Sequence, residues 1–373
     1  MATKTTPIES AYSSQSETTA RSDATVVLSD VAKRAGVSTA SVSRVLNSPD
    51  KVSPALRGRV QCAITELGYI PDGAAQALAS RRSKIIGAIV PTLDNAIFAE
   101  CINALQRRLK QLGYTLLIAS SEYDPTEELQ EAQALIRRGV DGLMLVGEAH
   151  ETDLYRLLKY KKIPFVNCWT YHPTANHPCI GFNNHAAAMQ VATYLLDLGH
   201  RDLAMVAGLT SNNDRAAARV AGVRNALADR GLSLAPDRLI ERPYGIREGR
   251  EALRTLLRKP PTPTAVVCGN DVLAFGVLLE CQAAGIAVPG ELSVTGFDDL
   301  NLSAHLQPPL TTVHVPSAEI GVRAADFLMT CISGQAALTQ MEVEIKLVVR
   351  GTAAPPGTQP TPARSIGNKP RHV

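Results

Sequence analysis

Between residues 85 and 312 the chain repeats one pattern, in which short runs of β-branched and other apolar residues alternate with longer amphipathic stretches. Short apolar runs of this kind are typical of strands, and the stretches between them have the length and apolar period of helices. The alternation predicts an α/β protein with parallel sheets and helices on both faces, in two βαβ units. The predicted strands are 85–90, 115–120, 142–146, 165–168, 179–182, 202–208, 264–269 and 292–297.

The stretches between these strands are predicted helices, and the chain continues past the alternation. After segment 308–316 come another predicted helix, 316–333, and a strand, 343–349, so we expect the chain to cross back between the two units. Ligands of open parallel sheets bind outside the carboxyl ends of the strands, which is where we expect a binding site. The predicted helices of the alternation include 96–112, 126–138, 185–198, 214–230, 246–258 and 273–284.

Charge is unevenly distributed along the chain, whose formal net charge is +3. Residues 29–84 hold nine Lys or Arg against four Asp or Glu, whereas residues 85–350 hold 24 against 28. A basic N-terminal block before an acidic body is typical of a nucleic-acid-binding head on a regulatory body. With so few charges the same asymmetry also arises by chance, so charge alone leaves both interpretations open.

Composition favours a cytoplasmic globular protein. Apolar residues make up 45% of the chain, and no apolar run is long enough to span a bilayer. No signal segment precedes the predicted fold. The seven cysteines form no CxxC pair, which is typical of reduced thiols rather than of a disulfide framework or a zinc site. Residues 1–25 and 353–373 are rich in small, polar and turn-forming residues and are predicted to be a disordered and a flexible tail.

Two short helical patterns near the N-terminus flank a glycine. The first begins with Ser29 as a candidate N-cap and stops at Gly36. The second begins at Ser38 or Thr39 and ends near Leu46. Two interpretations fit the pattern equally well. It is either a helix-turn-helix whose second helix enters a DNA major groove, or a helical pair that packs on the body and uses Ser and Thr only as caps.

Two further segments complete the N-terminal region. Ser53 and Pro54 predict a third helix that ends near Leu67, because proline is favoured in the first turn of a helix. Residues 72–83, DGAAQALASRRS, are Ala-rich and are predicted to be either a short helix or a linker.

Nearly the whole chain, from about residue 27 to 352, carries a set of specific motifs: LSDVAKRAGVSTASVSRVLN, VSPALRGRVQCAITELGYIPDGAAQALAS, RGVDGLMLV, LLDLGHRDLAMVAG, CGNDVLAFGVLLECQAAGIAVPGELSVTGFDD and LQPPLTTVHVP. This set closely resembles the lactose-repressor (LacI/GalR) family of bacterial transcription regulators. The loops PTLDNAIFAE and GFNNHAAA are most similar to the gluconate-repressor branch of that family.

The resemblance implies a helix-turn-helix DNA-binding domain at 26–71 and a hinge helix or linker at 72–84. It places Thr39, Ala40 and Arg44 at the base-reading positions of the recognition helix. It places four residues at phosphate contacts and one leucine where the family inserts a side chain into the minor groove, which unstacks one base step. These five residues are Ser38, Ser41, Ser43, Asn47 and Leu78.

For residues 85–352 the resemblance implies an effector-binding and dimerisation domain of the periplasmic-binding-protein type, with a ligand cleft between two Rossmann-like lobes. Lobe one is assigned to 85–182 and 314–344, and lobe two to 183–312 and 345–352. An Arg fork in such a cleft binds a carboxylate, Asn and Asp hold vicinal hydroxyls, and an aromatic face covers a ring. The implied effector-binding residues are Asn95, Phe98, Trp169, Phe182, Arg219, Tyr244, Asn270 and Asp298.

Three functional classes remain in competition at this point. A sequence-specific transcription regulator, most simply a repressor of carbohydrate or sugar-acid metabolism, is the class that the resemblance implies. Its partners are palindromic operator DNA, a sugar or sugar acid as effector, and a second copy of the chain, with no membrane and no cofactor. The alternatives are a sugar-binding protein without a DNA role and an α/β enzyme. No catalytic or metal-ligand spacing stands out in the sequence, so we expect no enzymatic activity.

Overall fold

The computed structural model describes residues 25–71, 73 and 82–357. Nearly all of the predicted N-terminal tail, most of the predicted hinge including Leu78, and the end of the predicted C-terminal tail lie outside the described residues. The chain divides into two compact units, residues 1–81 and residues 82–373. Each unit has its own apolar core.

The N-terminal unit contains a helix-turn-helix and a third helix. Gly36 ends the first helix with φ 65°, a left-handed conformation that glycine adopts without strain. The helices are α1 (Leu28–Ala35), α2 (Thr39–Asn47) and α3 (Pro54–Leu67), with a 3₁₀ turn (Pro49–Lys51) between α2 and α3. Their shared core consists of Val31, Ala32, Ala35, Val42, Val45, Val60 and Ala63.

The start of α2 is confirmed, and the predicted start of α1 is wrong. Ser38 caps α2, because its Oγ accepts the N–H three residues along the chain at 3.2 Å. Ser29, in contrast, lies inside α1, which begins at Leu28 with Val27 at the N-cap position. The Asp30 carboxylate accepts the Val27 N–H at 3.0 Å. A carboxylate in the first turn also complements the helix dipole, so Asp30 satisfies the helix start without a hydroxyl cap.

The body alternates strands and helices in the predicted order. Its strands are β1 (Ile85–Val90), β2 (Thr115–Ser120), β3 (Gly142–Val146), β4 (Phe165–Cys168), β5 (Cys179–Gly181), β6 (Leu203–Gly208), β7 (Leu239–Arg242), β8 (Ala265–Cys268), β9 (Ser293–Thr295), β10 (Thr312–His314), β11 (Gln340–Glu342) and β12 (Lys346–Val348). Its helices are α4 (Ala96–Gln111), α5 (Pro125–Arg137), α6 (Thr152–Lys161), α7 (Asn184–Asp197), α8 (Asp214–Ala228), α9 (Ile246–Leu257), α10 (Asp271–Ala284) and α11 (Ser317–Ile332), with 3₁₀ turns at Pro236–Arg238 and Asn301–Ala304.

The strands form two parallel sheets and one short antiparallel pair. The first sheet has six strands in the order β11-β5-β4-β3-β1-β2, and the second has four in the order β7-β6-β8-β9. All strand pairs within these two sheets are parallel, whereas β10 and β12 pair antiparallel. This arrangement confirms the predicted α/β class with two parallel units. We call the six-stranded sheet with its helices the first lobe and the four-stranded sheet with its helices the second lobe.

Helices cover both faces of each sheet. In β1, Ile86 and Ala88 belong to one core, which also holds side chains of α4 and α11, and Ile89 belongs to another, which holds side chains of α5 and α6. Alternation of this kind is what a strand buried on both faces requires. The chain crosses back after β10, since α11 packs on α4 and β11 pairs with β5. The residue boundaries assigned to the two lobes stay a prediction.

Four elements of the body were absent from the predicted set: α6, β7, β10 and β11. The segments LIER of β7 and QME of β11 are short and partly polar. Both strands lie at the edge of a sheet, where side chains stay partly exposed and polar residues are tolerated. Hydropathy along the sequence therefore does not predict these two strands.

The end of the described chain is tied to the second lobe. The Val294 N–H donates to the Thr352 carbonyl at 2.8 Å. The Ala354 carbonyl accepts from Ser293 Oγ at 3.0 Å and lies 2.9 Å from His200 Nε2. The hydrogen-bonded body thus extends to Ala354, two residues past the predicted end of the body at 352.

Candidate functional site

One exposed face of α2 carries most of the residues predicted to contact DNA. The helix buries Val42 and Val45 in the core of the N-terminal unit, so its opposite side faces solvent. At about 3.6 residues per turn, positions 39, 40, 43, 44 and 47 share that side. Two of the predicted residues, Ser41 and Ser43, are half-buried. Five are exposed: Ser38, Thr39, Ala40, Arg44 and Asn47.

Small side chains on α2 bond to each other and leave its arginine unpaired. Asn47 Nδ2 donates to Ser43 Oγ at 3.2 Å. Within the described part of the chain the Arg44 side chain has no hydrogen-bond or ion-pair partner, whereas Arg34 pairs with Glu66 at 2.5 Å. A free guanidinium on an exposed helix face can bind guanine O6 and N7 as a fork. The geometry of α2 therefore fits a recognition helix.

A cavity lies at the carboxyl ends of strands from both lobes. Its lining residues follow the ends of β1, β2, β4, β6, β7, β8 and β9, as expected for parallel sheets. The lining is Asn95, Ile97, Phe98, Tyr123, Trp169, Asn213, Arg215, Arg219, Tyr244, Asn270 and Asp298.

Seven of the eight predicted effector-binding residues line this cavity, and Phe182 does not. The Phe182 ring is buried behind the cavity and stacks on Phe297, with ring centroids 5.9 Å apart. It follows β5 and belongs to the apolar core that also holds Phe297. Its contribution is to support Phe297, which in turn lies beneath the guanidinium of Arg219.

Four lining residues were missed by the sequence interpretation: Ile97, Tyr123, Asn213 and Arg215. Tyr123 follows the carboxyl end of β2, and Asn213 and Arg215 stand at the start of α8, directly after β6. The strand-end rule applied to every strand, rather than to the family positions alone, would have found these three. Ile97 is an ordinary helix residue and gives no such signal.

Arg219 is buried in the cavity wall and held by neutral acceptors. Its Nη1 donates to the Gly269 carbonyl at 2.7 Å and its Nε to Asn184 Oδ1 at 2.9 Å. Its guanidinium carbon lies 3.6 Å from the centroid of the Phe297 ring, a cation–π contact. No carboxylate of the described residues lies within ion-pair distance of it. Burial lowers the pKa of Arg219, and the nearby Asp298 carboxyl opposes that shift.

Asp298 is the acidic residue of the lining, and its burial favours the neutral acid. Desolvation raises the pKa of Asp298 to about 8, although Arg219 acts in the opposite direction, and the buried Asp271 adds to the rise. Asp271 lies behind the wall, where its carboxylate accepts from the Leu300 N–H and the Thr312 hydroxyl at 2.8 and 2.6 Å. These bonds fix the segment after β9 that carries Asp298.

Two buried donors of the lining have no partner among the described residues. They are Trp169 Nε1 and Asn270 Nδ2. Asn270 uses its other amide atom, Oδ1, to accept the Leu273 N–H at 2.9 Å at the start of α10. An unpartnered buried donor costs about 1–3 kcal/mol, so a polar ligand that accepts from both would recover that free energy.

The backbone at the cavity adopts unusual conformations. Tyr123, Trp169 and Asp298 have φ values of 62°, 61° and 113°, which side chains other than glycine rarely adopt. Residues held in such conformations cluster at ligand sites, because the surrounding structure fixes the side chains in place. Each of the three follows directly from a strand end and directs a lining side chain.

Family models match both parts of the chain. The model for "Bacterial regulatory proteins, lacI family" matches residues 27–72, and the model for "Periplasmic binding proteins and sugar binding domain of LacI family" matches residues 83–350. The chain belongs to the LacI family. It is therefore a DNA-binding transcriptional regulator with a sugar-binding type of domain, as the resemblance predicted.

Individual LacI-family relatives match over most of the chain. The HTH-type transcriptional regulator GntR of Escherichia coli strain K12 is 31% identical over 315 residues, which cover 84% of this chain and 94% of the relative. The ribose operon repressor of the same strain is 32% identical over 330 residues, 87% of this chain and 99% of the relative. A crystal structure of the lac repressor dimer bound to operator and an anti-inducer has a TM-score of 0.79 and 27% identity, covering 88% of this chain and 99% of that one.

Two kinds of feature are absent from the described residues. No helix within residues 25–71 or 82–357 is long and apolar enough to cross a bilayer. No group of three or more His, Cys, Asp or Glu in these ranges is arranged to hold a metal ion.

Proposed function

We propose that this protein represses genes of carbohydrate or sugar-acid metabolism and that a small polar effector controls its affinity for DNA. Two copies present their α2 helices to the two halves of a palindromic operator. The crystal structure of the lac repressor dimer bound to operator supports this arrangement, because it matches this chain over 88% of its length. The exposed, unpaired Arg44 is the residue of α2 best suited to read a base.

The effector part of the proposal rests on buried polar groups of the cavity that lack a charged or hydrogen-bonding partner. Arg219 is buried among neutral acceptors, and the Trp169 and Asn270 donors have no partner in the described chain. A buried charge is stabilised only when it is paired and hydrogen-bonded. The ligand that completes this cavity carries several acceptors, and a carboxylate beside Arg219 favours a sugar acid over a neutral sugar.

Control of DNA binding follows from linkage. An effector changes operator affinity only through its different affinities for the DNA-competent and DNA-incompetent arrangements of the protein. The predicted hinge, residues 72–84, connects the DNA-binding domain at 26–71 to the effector domain at 85–352. The hinge and its Leu78 are where we propose that this coupling reaches the operator.

The competing classes are a sugar-binding protein without a DNA role and an enzyme. A sugar-binding protein without a DNA role would not explain the exposed, unpaired Arg44 on α2. The second requires convergent catalytic groups, whereas the cavity combines one acid with two arginines and three amides. A regulator that acts on chromosomal DNA works in the cytoplasm, which is the location we propose.

The test begins with selection of binding sites from random duplex DNA by the full-length protein. We expect enrichment of one two-fold symmetric site. A thermal-shift screen with sugars, sugar acids and sugar phosphates then identifies the effector class. A chain lacking residues 1–84 is the control for DNA binding. Equal affinity of the truncated and full-length proteins for the selected site would show that the DNA-binding assignment is wrong.

A further inference from the structure

We propose that Asp214 and Arg215 form a clamp with segment 146–148 that holds the two lobes closed in the absence of effector. Asp214 and Arg215 are the first residues of α8 and belong to the second lobe. Segment 146–148 follows β3 and belongs to the first lobe. No functional residue predicted from the sequence lies in this contact.

The clamp consists of one bond in each direction between the lobes. Arg215 Nη1 donates to the Val146 carbonyl at 3.1 Å, and the Glu148 N–H donates to Asp214 Oδ2 at 3.1 Å. The same Arg215 nitrogen lies 2.9 Å from Asp214 Oδ1, so the two side chains orient each other. The Arg215 side chain is buried, at 8% exposure, and the Asp214 side chain is partly buried. Charge-assisted bonds in such surroundings are stronger than those at a surface.

Gly147 lets the two lobes approach closely at the clamp. Its φ is 88°, in the left-handed region that favours glycine. A Cβ at this position would overlap the Arg215 guanidinium and the Asp214 carboxylate. Any larger residue would therefore displace the second-lobe side chains without removing a charge. The backbone conformation favours glycine here, and a Cβ would push the ends of the two second-lobe side chains out of the clamp.

Segment 146–148 is rigid on its own side. The Gly147 N–H donates to the Cys168 carbonyl at 2.9 Å, and the Gly147 carbonyl lies 2.9 Å from His150 Nε2. His150 Nδ1 lies 2.6 Å from the buried Glu128 carboxylate. Because the segment is held from within the first lobe, a bond to Asp214 or Arg215 transmits force to the lobe as a whole rather than to a loose loop.

Arg215 also connects the clamp to the effector cavity. It lines that cavity and a neighbouring one between the lobes, which Ser121, Asp214 and His150 line as well. If the effector binds the closed arrangement, its apparent affinity scales with the fraction of protein already closed. This role in effector binding rests on the proposed function; the closure of the lobes by the clamp does not.

The experiment compares the full-length wild-type protein with Asp214→Ala, without ligand. Hydrogen exchange read by mass spectrometry reports on the Glu148 amide, and small-angle X-ray scattering reports on lobe separation. We expect exchange of the peptide that contains Glu148 to accelerate about tenfold or more, the effect of losing a hydrogen bond to a charged group. We also expect a larger radius of gyration.

Gly147→Ala provides a second variant that breaks the clamp from the other lobe and keeps every charge. It is expected to reproduce both changes. Arg156→Met, which removes an exposed ion pair within one lobe, is the matched control and should change neither. Faster exchange with an unchanged radius of gyration in both clamp variants would show that the bonds can break without separating the lobes. That result would overturn the proposal. Neither readout uses DNA or effector, so its outcome is independent of the proposed function.

Discussion

The recognition helix and the effector cavity present their functional groups in opposite ways. On α2 the groups are small, exposed and drawn from ten consecutive residues, and the Arg44 side chain is free of protein partners. In the cavity they come from seven strand ends, are mostly buried, and Arg219 is held by two hydrogen bonds and an aromatic ring. The first site is ready for a large polyanion, and the second is preorganised around a small ligand. Substitution of Arg44 should therefore act on binding alone, whereas substitution of Arg219 should act on binding and stability together.

The largest effect is expected for Arg219→Gln in the cavity. Loss of a buried charged group that pairs with ligand costs about 2–5 kcal/mol, or roughly 30-fold to more than a thousandfold in effector affinity. Isothermal titration with the ligand found in the thermal-shift screen measures the loss. Arg247→Gln, at an exposed arginine paired with Glu251, is the matched control. Unchanged affinity in Arg219→Gln would remove this residue from the site.

Arg44→Ala should have the next largest effect and should act only on DNA. Removal of a bidentate contact to guanine costs about 1–3 kcal/mol and relaxes specificity at one base pair of each half-site. Fluorescence anisotropy with the selected operator and its single-base variants checks both. The melting temperature should stay unchanged, because Arg44 has no partner in the described chain. A uniform loss across all variants would instead indicate a phosphate contact.

The pH dependence of stability should come from two carboxyl groups at the cavity, Asp298 and Asp271. Burial raises the pKa of Asp298 to about 8 and that of Asp271 to about 6, both from 3.8. A raised carboxyl pKa means that the folded state holds its proton more tightly than the unfolded state does. Stability therefore falls as pH rises from about 4 through these values.

Replacement of Asp298 by Asn removes its share of this dependence. Urea denaturation between pH 5 and pH 9 should show a smaller loss of stability in Asp298→Asn than in the wild type, with the difference growing up to about pH 8 and constant above it. Identical pH profiles would show that Asp298 ionises normally and that the cavity is wetter than its burial implies.

The smallest effect is expected for Ser38→Ala at the start of α2. Loss of an N-cap hydroxyl costs about 0.5–2 kcal/mol, here confined to the N-terminal unit. Hydrogen exchange of the α2 amides should accelerate while the body stays protected. Ser38→Asp restores a capping oxygen and should restore protection, and yet weaken operator binding, because it adds a negative charge beside phosphate. Restored binding in Ser38→Asp would argue against a phosphate contact.

The same contrast explains how far the sequence could predict the molecule. The helix-turn-helix is a local pattern, so Gly36, Ser38 and the exposed face of α2 follow from neighbours along the chain. Strands β1 to β4 match their predicted bounds because each is a continuous apolar run. Edge strands β7 and β11 lack such runs, and α1 begins with a carboxylate cap that the search for hydroxyls overlooked.

The cavity residues were predicted from the family resemblance, but which strand-end residues line the cavity and which contacts join the lobes could be seen only in three dimensions. Phe182 and Trp169 are both aromatic and both follow strand ends, yet only Trp169 lines the cavity. Arg215 follows β6 as the predicted Arg219 does, but its contact with segment 146–148 joins residues 69 apart in the chain. No periodicity encodes a contact of that kind, and it becomes visible only once the two sheets are placed.

We propose that helix α2 binds DNA under control of ligand binding in the buried cavity. The most direct test measures the affinity of the full-length protein for its selected operator with and without a saturating concentration of the ligand identified by thermal shift. Couplings between sites are typically about 5- to 150-fold, so we expect a change of at least about fivefold, in one direction or the other. Equal operator affinity with the cavity empty and saturated would show that ligand binding in the cavity does not control DNA binding.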